Sequence, residues 1–220
     1  MRNLPCKVLQ VDEVWAFCGM KQANVPEGMN GEGIGDTWTW VALDSETKLI
    51  PCWHIGKRDY IDASKFIFDL SERLASRVQL TSDGHVPYIK AVEDAFGADI
   101  DYSMLIKLYG KPLGTETRYS PPVCIGARKR RVMGSPKRDL VSTSHIERQN
   151  LTMRMSMRRF TRLTNGYSKK IENHGHAMAI YTMHYNFCRI HHSLRVTPAM
   201  EAGISDHVWS LEELVNLISV

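Results

Sequence analysis

The sequence lacks most of what would place a chain in a membrane or outside a cell. No apolar run approaches the roughly 20 residues that a bilayer-spanning helix requires. The first residues, Met1 to Cys6, lead into no apolar stretch with a small-residue cleavage site, so no secretion signal is expected. The five cysteines, Cys6, Cys18, Cys52, Cys124 and Cys188, are scattered and form no C-x-x-C pair. This argues against a disulfide framework or a thiolate zinc site and fits a reducing cytoplasm. Internal repeats and low-complexity tracts are absent. Acids are scarce in one long stretch. From Arg118 to Lys170 only Asp139 and Glu147 stand against 14 Lys and Arg, whereas the remainder carries 14 Lys and Arg against 22 acids. The net charge of +4 hides this division. A segment so one-sided repels itself unless an anion lies against it, and nucleic acid, whose bound counterions each Lys or Arg contact releases, is the natural partner.

What is present is an ordinary globular composition, 43% hydrophobic and 24% charged, long enough at 220 residues for one sizeable core with a helical annex. Residues 7–17, rich in Val, Trp and Phe, read as a strand; 19–36, rich in Gly, as a loop; and 37–44, alternating Thr-Trp-Thr-Trp, as a second strand. Residues 48–56 predict a third strand, at an edge or bulged because Pro51 cannot donate a ladder hydrogen bond. The period then turns helical over 60–76, with Asp59 as cap. A short strand (77–82), a helix (87–96) ended by Gly97 and a strand (99–108) follow. Residues 109–143, with many Gly and Pro and the run Arg128-Lys129-Arg130-Arg131, read as an extended, mobile basic segment. Ser144-His145-Ile146-Glu147 matches a capping box and predicts a helix from Ser144 to about Leu163. A long helix over 168–190 and short helices opening at Thr197-Pro198 and Ser210 complete the chain. Three antiparallel strands followed by helix, strand, helix, strand imply a mixed α/β sheet with helices packed on it.

Three acids fall at ends or special positions of these elements. Asp12 lies in the first strand and shares a face with Val8, Gln10 and Val14, where a carboxylate is costly to bury unless paired or metal-bound. Asp83 ends the fourth strand before Gly84, at the strand's C-terminal edge. Glu147 sits in the first turn of a helix, opposite the basic stretch. Carboxylates converging from separate elements suit hard cations, and two divalent ions about 3.5–4 Å apart can clamp the attacking and leaving oxygens of a phosphodiester. Each acid also has a plainer role: an ion pair for Asp12, a turn for Asp83, a capping box for Glu147.

The blocks VDEVWAF, TWTWVALDSETK, TSDGHVPY and HIERQNLTMRMSMRRFTRLTNGYSKK resemble bacterial transposases of the insertion sequence one type, and YNFCRIHHSLRVTPA resembles the ending common among bacterial transposases. The resemblance spans about residues 8–190. It implies a ribonuclease H-like fold, with a catalytic domain over 1–165 and a helical extension over 166–220 packed on the same core. It implies a metal-binding triad of Asp12, Asp83 and Glu147 holding two Mg²⁺ or Mn²⁺ ions, with DNA cleavage and strand transfer as the reaction. His145 and Asn150 share the Glu147 block and are expected to support the site. Implied partners are double-stranded DNA and further copies of the chain assembled on it, in the bacterial nucleoid. Such proteins usually carry an N-terminal zinc-binding and helix-turn-helix region. No cysteine cluster precedes the first strand here, so a separate recognition region or protein is expected. Rival readings are a DNA-binding regulator without catalysis and a ribonuclease H-like nuclease.

For DNA contact the candidates are Arg128, Lys129, Arg130, Arg131, Lys137, Arg138 and Arg148, with Arg154, Arg158 and Arg162 as a stripe repeating every four residues along one helix. The histidines His174, His176, His184, His191 and His192 read as packing or DNA contact rather than a metal site, since helix positions i and i+2 face different ways. Trp38, Trp40 and Trp53 read as core, with stacking on a base a lesser reading for Trp15 or Tyr119.

Overall fold

The computed structural model describes residues 1–28, 33–110, 123–161 and 164–217. Six strands form one sheet in the order β3-β2-β1-β4-β5-β6. They are β1 (Val8–Cys18), β2 (Gly35–Asp44), β3 (Trp53–Gly56), β4 (Gln79–Ser82), β5 (Asp101–Tyr109) and β6 (Cys124–Met133). β1, β2 and β3 form an antiparallel meander, β4 and β5 run parallel to β1, and β6 returns antiparallel on β5. Helices α1 (Tyr60–Arg73) and α2 (Pro87–Phe96) make the crossovers to β4 and β5 and cover one face. Helices α3 (Ser144–Ser156) and α4 (Ile171–Met183) cover the other, and the short α5 (Pro198–Glu201) and α6 (Leu211–Asn216) complete a C-terminal helical extension. This is the ribonuclease H-like arrangement.

Alternation along β1 and β2 divides the core in two. Leu9, Val11, Trp40 and Ala42 pack with Phe66, Ile67, Leu70, Tyr88 and Val92 beneath α1 and α2. Val14, Val41 and Leu43 pack with Ile146, Met153, Met178 and Tyr185 beneath α3 and α4. Removing each such side chain from water is worth about 1.5–3 kcal/mol. Asp59 caps α1 by accepting from the Asp62 amide at 3.0 Å, and Gly97, at φ 55°, ends α2. Of the expected core tryptophans, Trp40 is fully buried, while Trp38 and Trp53 are half-buried.

Five expectations need correction. Residues 124–133, expected in a mobile segment, form a paired edge strand; residues 111–122, with Tyr119, lie outside the described residues. The third strand is four residues long and starts after Pro51. α3 begins at Ser144, but the expected Ser144–Glu147 capping box does not form. Gln10 of β1 accepts instead from the amides of His145 and Ile146, at 3.0 and 3.1 Å. Finally, α3 stops at Ser156, and a single 3₁₀ turn (Arg158–Phe160) buries Phe160 against His174. Arg158 therefore does not continue the stripe of Arg154 on one helix, and Arg162 lies outside the described residues. The long helix over 168–190 also begins later, at Ile171, and widens into a π turn over His184–Cys188. That widening buries three successive residues, Tyr185, Asn186 and Phe187, and Asn186 pairs with both backbone groups of Ile50 at 2.9 and 3.0 Å.

Candidate metal centre

The site arises where two parallel strands part. β1 and β4 pair at Val8–Gln79, Leu9–Leu80 and Gln10–Thr81 and then separate. β1 runs on beside β2, while the chain leaves β4 at Asp83. Asp12 and Asp83 each stand two residues beyond the last pair, so both project to the face that carries α3. The Asp83 carboxylate closes its own turn by accepting from the His85 amide at 2.9 Å. Since Gln10 caps α3 from the same strand, the helix that bears Glu147, Asn150 and Arg154 is pinned over this opening.

A cavity of about 460 Å³ results, lined by Asp12, Glu13, Asp83, Lys107, Thr143, Glu147, Asn150 and Arg154 among others. Carboxylate oxygens of Asp12, Glu13 and Asp83 lie within 4.8 Å of one another. They form the one group among the described residues able to hold a metal ion with three acidic, His or Cys ligands, and they supply a donor set for one ion. Glu13 is not singled out by the sequence pattern. Alternation turns it away from Asp12, toward α1 and α2, but the parting of β1 from β4 lets its carboxylate reach the shared opening. There it accepts from Arg58 Nε at 2.8 Å and from the Tyr88 hydroxyl at 3.3 Å. Arg58 also approaches Asp83 at 3.7 Å and lies over the Trp38 ring, 4.9 Å from its centroid.

The crowding has an electrostatic consequence. Burial, then the charges of Glu13 and Asp83, push the Asp12 carboxyl up from 3.8 to about 7. Burial and Asp83 likewise raise Glu13, against the pull of Arg58. Asn150 Nδ2 donates to Asp12 Oδ2 at 2.7 Å, while Asn150 Oδ1 and His85 Nε2 are buried without a hydrogen-bond partner among the described residues. Acids that resist ionising together, beside an orphaned acceptor oxygen, fit a hard divalent cation.

Glu147 lines the same cavity but stands apart from the three-acid group. Its Oε2 accepts from Lys107 Nζ and its Oε1 from the Thr143 hydroxyl, both at 2.6 Å. Burial works against the charge of Lys107, but the hydrogen bond and charge of Glu147 outweigh it and raise its pKa. Asn150 and Arg154 reach the cavity; His145, near Lys48 at 3.4 Å, and the exposed Arg148 do not line it. No known family model and no curated protein matches the sequence. Among solved structures, endonuclease V from Streptomyces avermitilis is similar at 12% identity and a TM-score of 0.25, over 82% of this chain and 86% of its own. Values this low bear on neither fold nor function.

The basic run lies on β6 at the edge beyond the cavity. Arg128, Lys129, Arg130 and Arg131 are all exposed, and by register Lys129 sits beside Leu105 and Arg128 beside Ile106, both cavity residues. Lys137 and Arg138 follow in an exposed turn, joined to Gln79 and Lys129 through their backbones. Cations on an edge strand also block pairing with other sheets. Of the two readings of His174, packing or DNA contact, the structure gives packing: the ring is buried between Thr39 and Ser168. Among the described residues, no helix is long and apolar enough to cross a membrane.

Proposed function

We propose that the chain processes phosphodiesters of nucleic acid with a divalent metal ion held by Asp12, Glu13 and Asp83. The observation that carries this reading is the meeting of three carboxylates in the crevice where β1 and β4 part, at the C-terminal end of β4, the part of an open α/β sheet where ligands bind. When bound, Mg²⁺ or Mn²⁺ supplies Lewis acidity at a phosphoryl oxygen. The residues do the rest. Asn150 fixes the orientation of the Asp12 carboxylate. Arg58 and Tyr88 hold Glu13 in place from below. Lys107 and Arg154 bring positive charge to the cavity wall, where phosphate oxygens can be held. The exposed cations of β6 extend that charge along one edge and position the backbone without reading sequence.

Hydrolysis, as in a ribonuclease H-like nuclease, needs no more than this. The finer reading is DNA strand transfer by a transposase. It rests on the sequence resemblance, and with it go double-stranded DNA as substrate, several copies acting together, a recognition region supplied elsewhere, and residence at the nucleoid. In that reading Glu147, here held by Lys107 and Thr143, would help hold a second ion. The test is to incubate the purified chain with Mg²⁺ or Mn²⁺ and duplex DNA, RNA–DNA hybrids or single strands. Metal-dependent cutting abolished by Asp83→Ala supports the general reading. Joined products select the transposase; cutting without joining selects the nuclease. Nucleic-acid binding with neither selects a regulator, and unchanged activity in Asp83→Ala removes the cluster from the chemistry.

A further inference from the structure

A second cavity, of about 470 Å³, opens beside the metal centre between the start of β2, the end of β3 and the start of α1. Arg58 lines this second cavity and links it to the metal centre, lying over Trp38 while its Nε donates to Glu13. We propose that this second cavity receives one unpaired nucleobase of the strand held at the metal centre, stacked on Trp38. The inference rests on the nucleic-acid reading above and adds a specificity for unpaired nucleotides.

Four observations carry it. The volume lies within the ~300–1,000 Å³ typical of small-molecule sites, which suits one base. Trp38 is half-buried in the cavity wall, and its partner across the ladder on β3 is Gly56, which has no side chain to cover the ring; the Arg58 guanidinium lies over it at 4.9 Å, a cation that a stacked base would displace toward its own phosphate. Gly56 is required for a second reason: a Cβ there would collide with the Asp62 carboxylate. The charge of the wall is nearly balanced, with Lys57, Arg58 and Lys65 against Asp36 and Asp62. Asp62 is already engaged by His54 at 2.9 Å and by the Lys57 amide at 2.7 Å. A balanced wall favours a neutral base over a phosphate, while Arg58, at the junction, is placed for the phosphate that joins the base to the scissile group. Every base has a face to stack, so such a site is tolerant of sequence.

The probes are a thymidine oligonucleotide of about 15 residues, the same backbone without bases, and a blunt duplex, each titrated by fluorescence anisotropy in EDTA. For the wild-type chain the abasic strand is expected to bind about tenfold more weakly than the thymidine strand, the scale of stacking on one aromatic ring. Trp38→Ala is expected to remove that difference and leave duplex affinity within about twofold, whereas Trp38→Phe keeps most of it. Trp38→Leu, which retains apolar bulk but cannot stack, serves if the alanine variant fails to fold by circular dichroism. An abasic penalty that survives in a folded Trp38→Leu or Trp38→Ala protein overturns the proposal, as does equal binding of both strands by wild type. If wild type binds the duplex and cuts it yet shows no abasic penalty, the second cavity alone is refuted. If it binds no nucleic acid at all, the functional reading fails with it.

Discussion

The acid cluster of β1 and β4 and the basic edge strand β6 stand on either side of β5 and treat charge in opposite ways. At the cavity, three carboxylates are drawn together by strand geometry and partly desolvated, so that Asp12 titrates near 7 and neutrality must come from a proton, from Arg58 or from a metal ion. On β6 four consecutive cations remain in water on both faces of the strand, where their mutual repulsion is screened and no partner is obligatory. Buried like charge therefore stores a demand for one specific counter-ion, whereas exposed like charge offers contact to any polyanion. A processing enzyme needs both, one for chemistry and one for grip.

The largest test of the contrast is Asp12→Asn. It keeps an acceptor for Asn150 and removes one ligand charge, so metal-dependent cutting or joining is expected to fall by on the order of 10³-fold or more. Its effect on stability runs the other way. The folded pKa of Asp12 is raised above its unfolded value, so the ionised group costs stability as pH rises from about 4 to about 7 and beyond. Without metal the Asn variant should melt higher than wild type at pH 8 and alike at pH 4. Mn²⁺ should raise the wild-type melting temperature at pH 8 more than at pH 5.5. An Asn variant less stable than wild type at pH 8 breaks the claim of stored repulsion.

Next in size is replacement of Arg128, Lys129, Arg130 and Arg131 by Gln. Duplex affinity should drop, and the slope of log K against log salt should shrink by about one for each phosphate that these cations neutralise, about three to four in all. The Mn²⁺-induced melting shift should stay as in wild type. A change in that shift would mean that the strand builds the metal site rather than gripping nucleic acid.

His174 supplies a smaller test, of burial without a counter-charge. Burial, then Arg159, lower its pKa from 6.5 to about 4. The folded value is depressed, so the unfolded chain binds the proton first. The stability is full above about 6.5 and declines as pH falls toward 4, by roughly 3 kcal/mol at most. His174→Gln should flatten that part of the curve, read from urea melts. The smallest expected effect is Gln10→Ala. Removing its cap on α3 should cost about 0.5–2 kcal/mol, and because α3 carries Asn150, it should also weaken metal binding; a stability loss with metal affinity unchanged would separate the cap from the site.

The local pattern specified much of this protein. Period-two and helical runs located the sheet, α1, α2 and the start of α3, because face alternation and a 3.6-residue repeat are properties of the backbone alone. Asp12 and Asp83 were legible for the same reason: a carboxylate on an apolar strand face and another at a strand end are anomalies visible in one dimension. The cation run was legible as charge, but not as a strand, since the residues of β6 face water on both sides and carry no alternation to detect. The end of α3 was not legible either, because burial of Phe160 against His174, not a local stop signal, turns the chain. What only the tertiary structure decided was which acids meet. Alternation sets Glu13 opposite Asp12, yet β1 and β4 part beyond Gln10 and Thr81 and the gap admits both carboxylates. Glu147, equally visible in sequence, is held by Lys107 and Thr143 at the cavity's other wall. Sequence sets the direction of a side chain along its own strand; the distance between strands, and so the company a charge keeps, is fixed by the packing of the whole sheet.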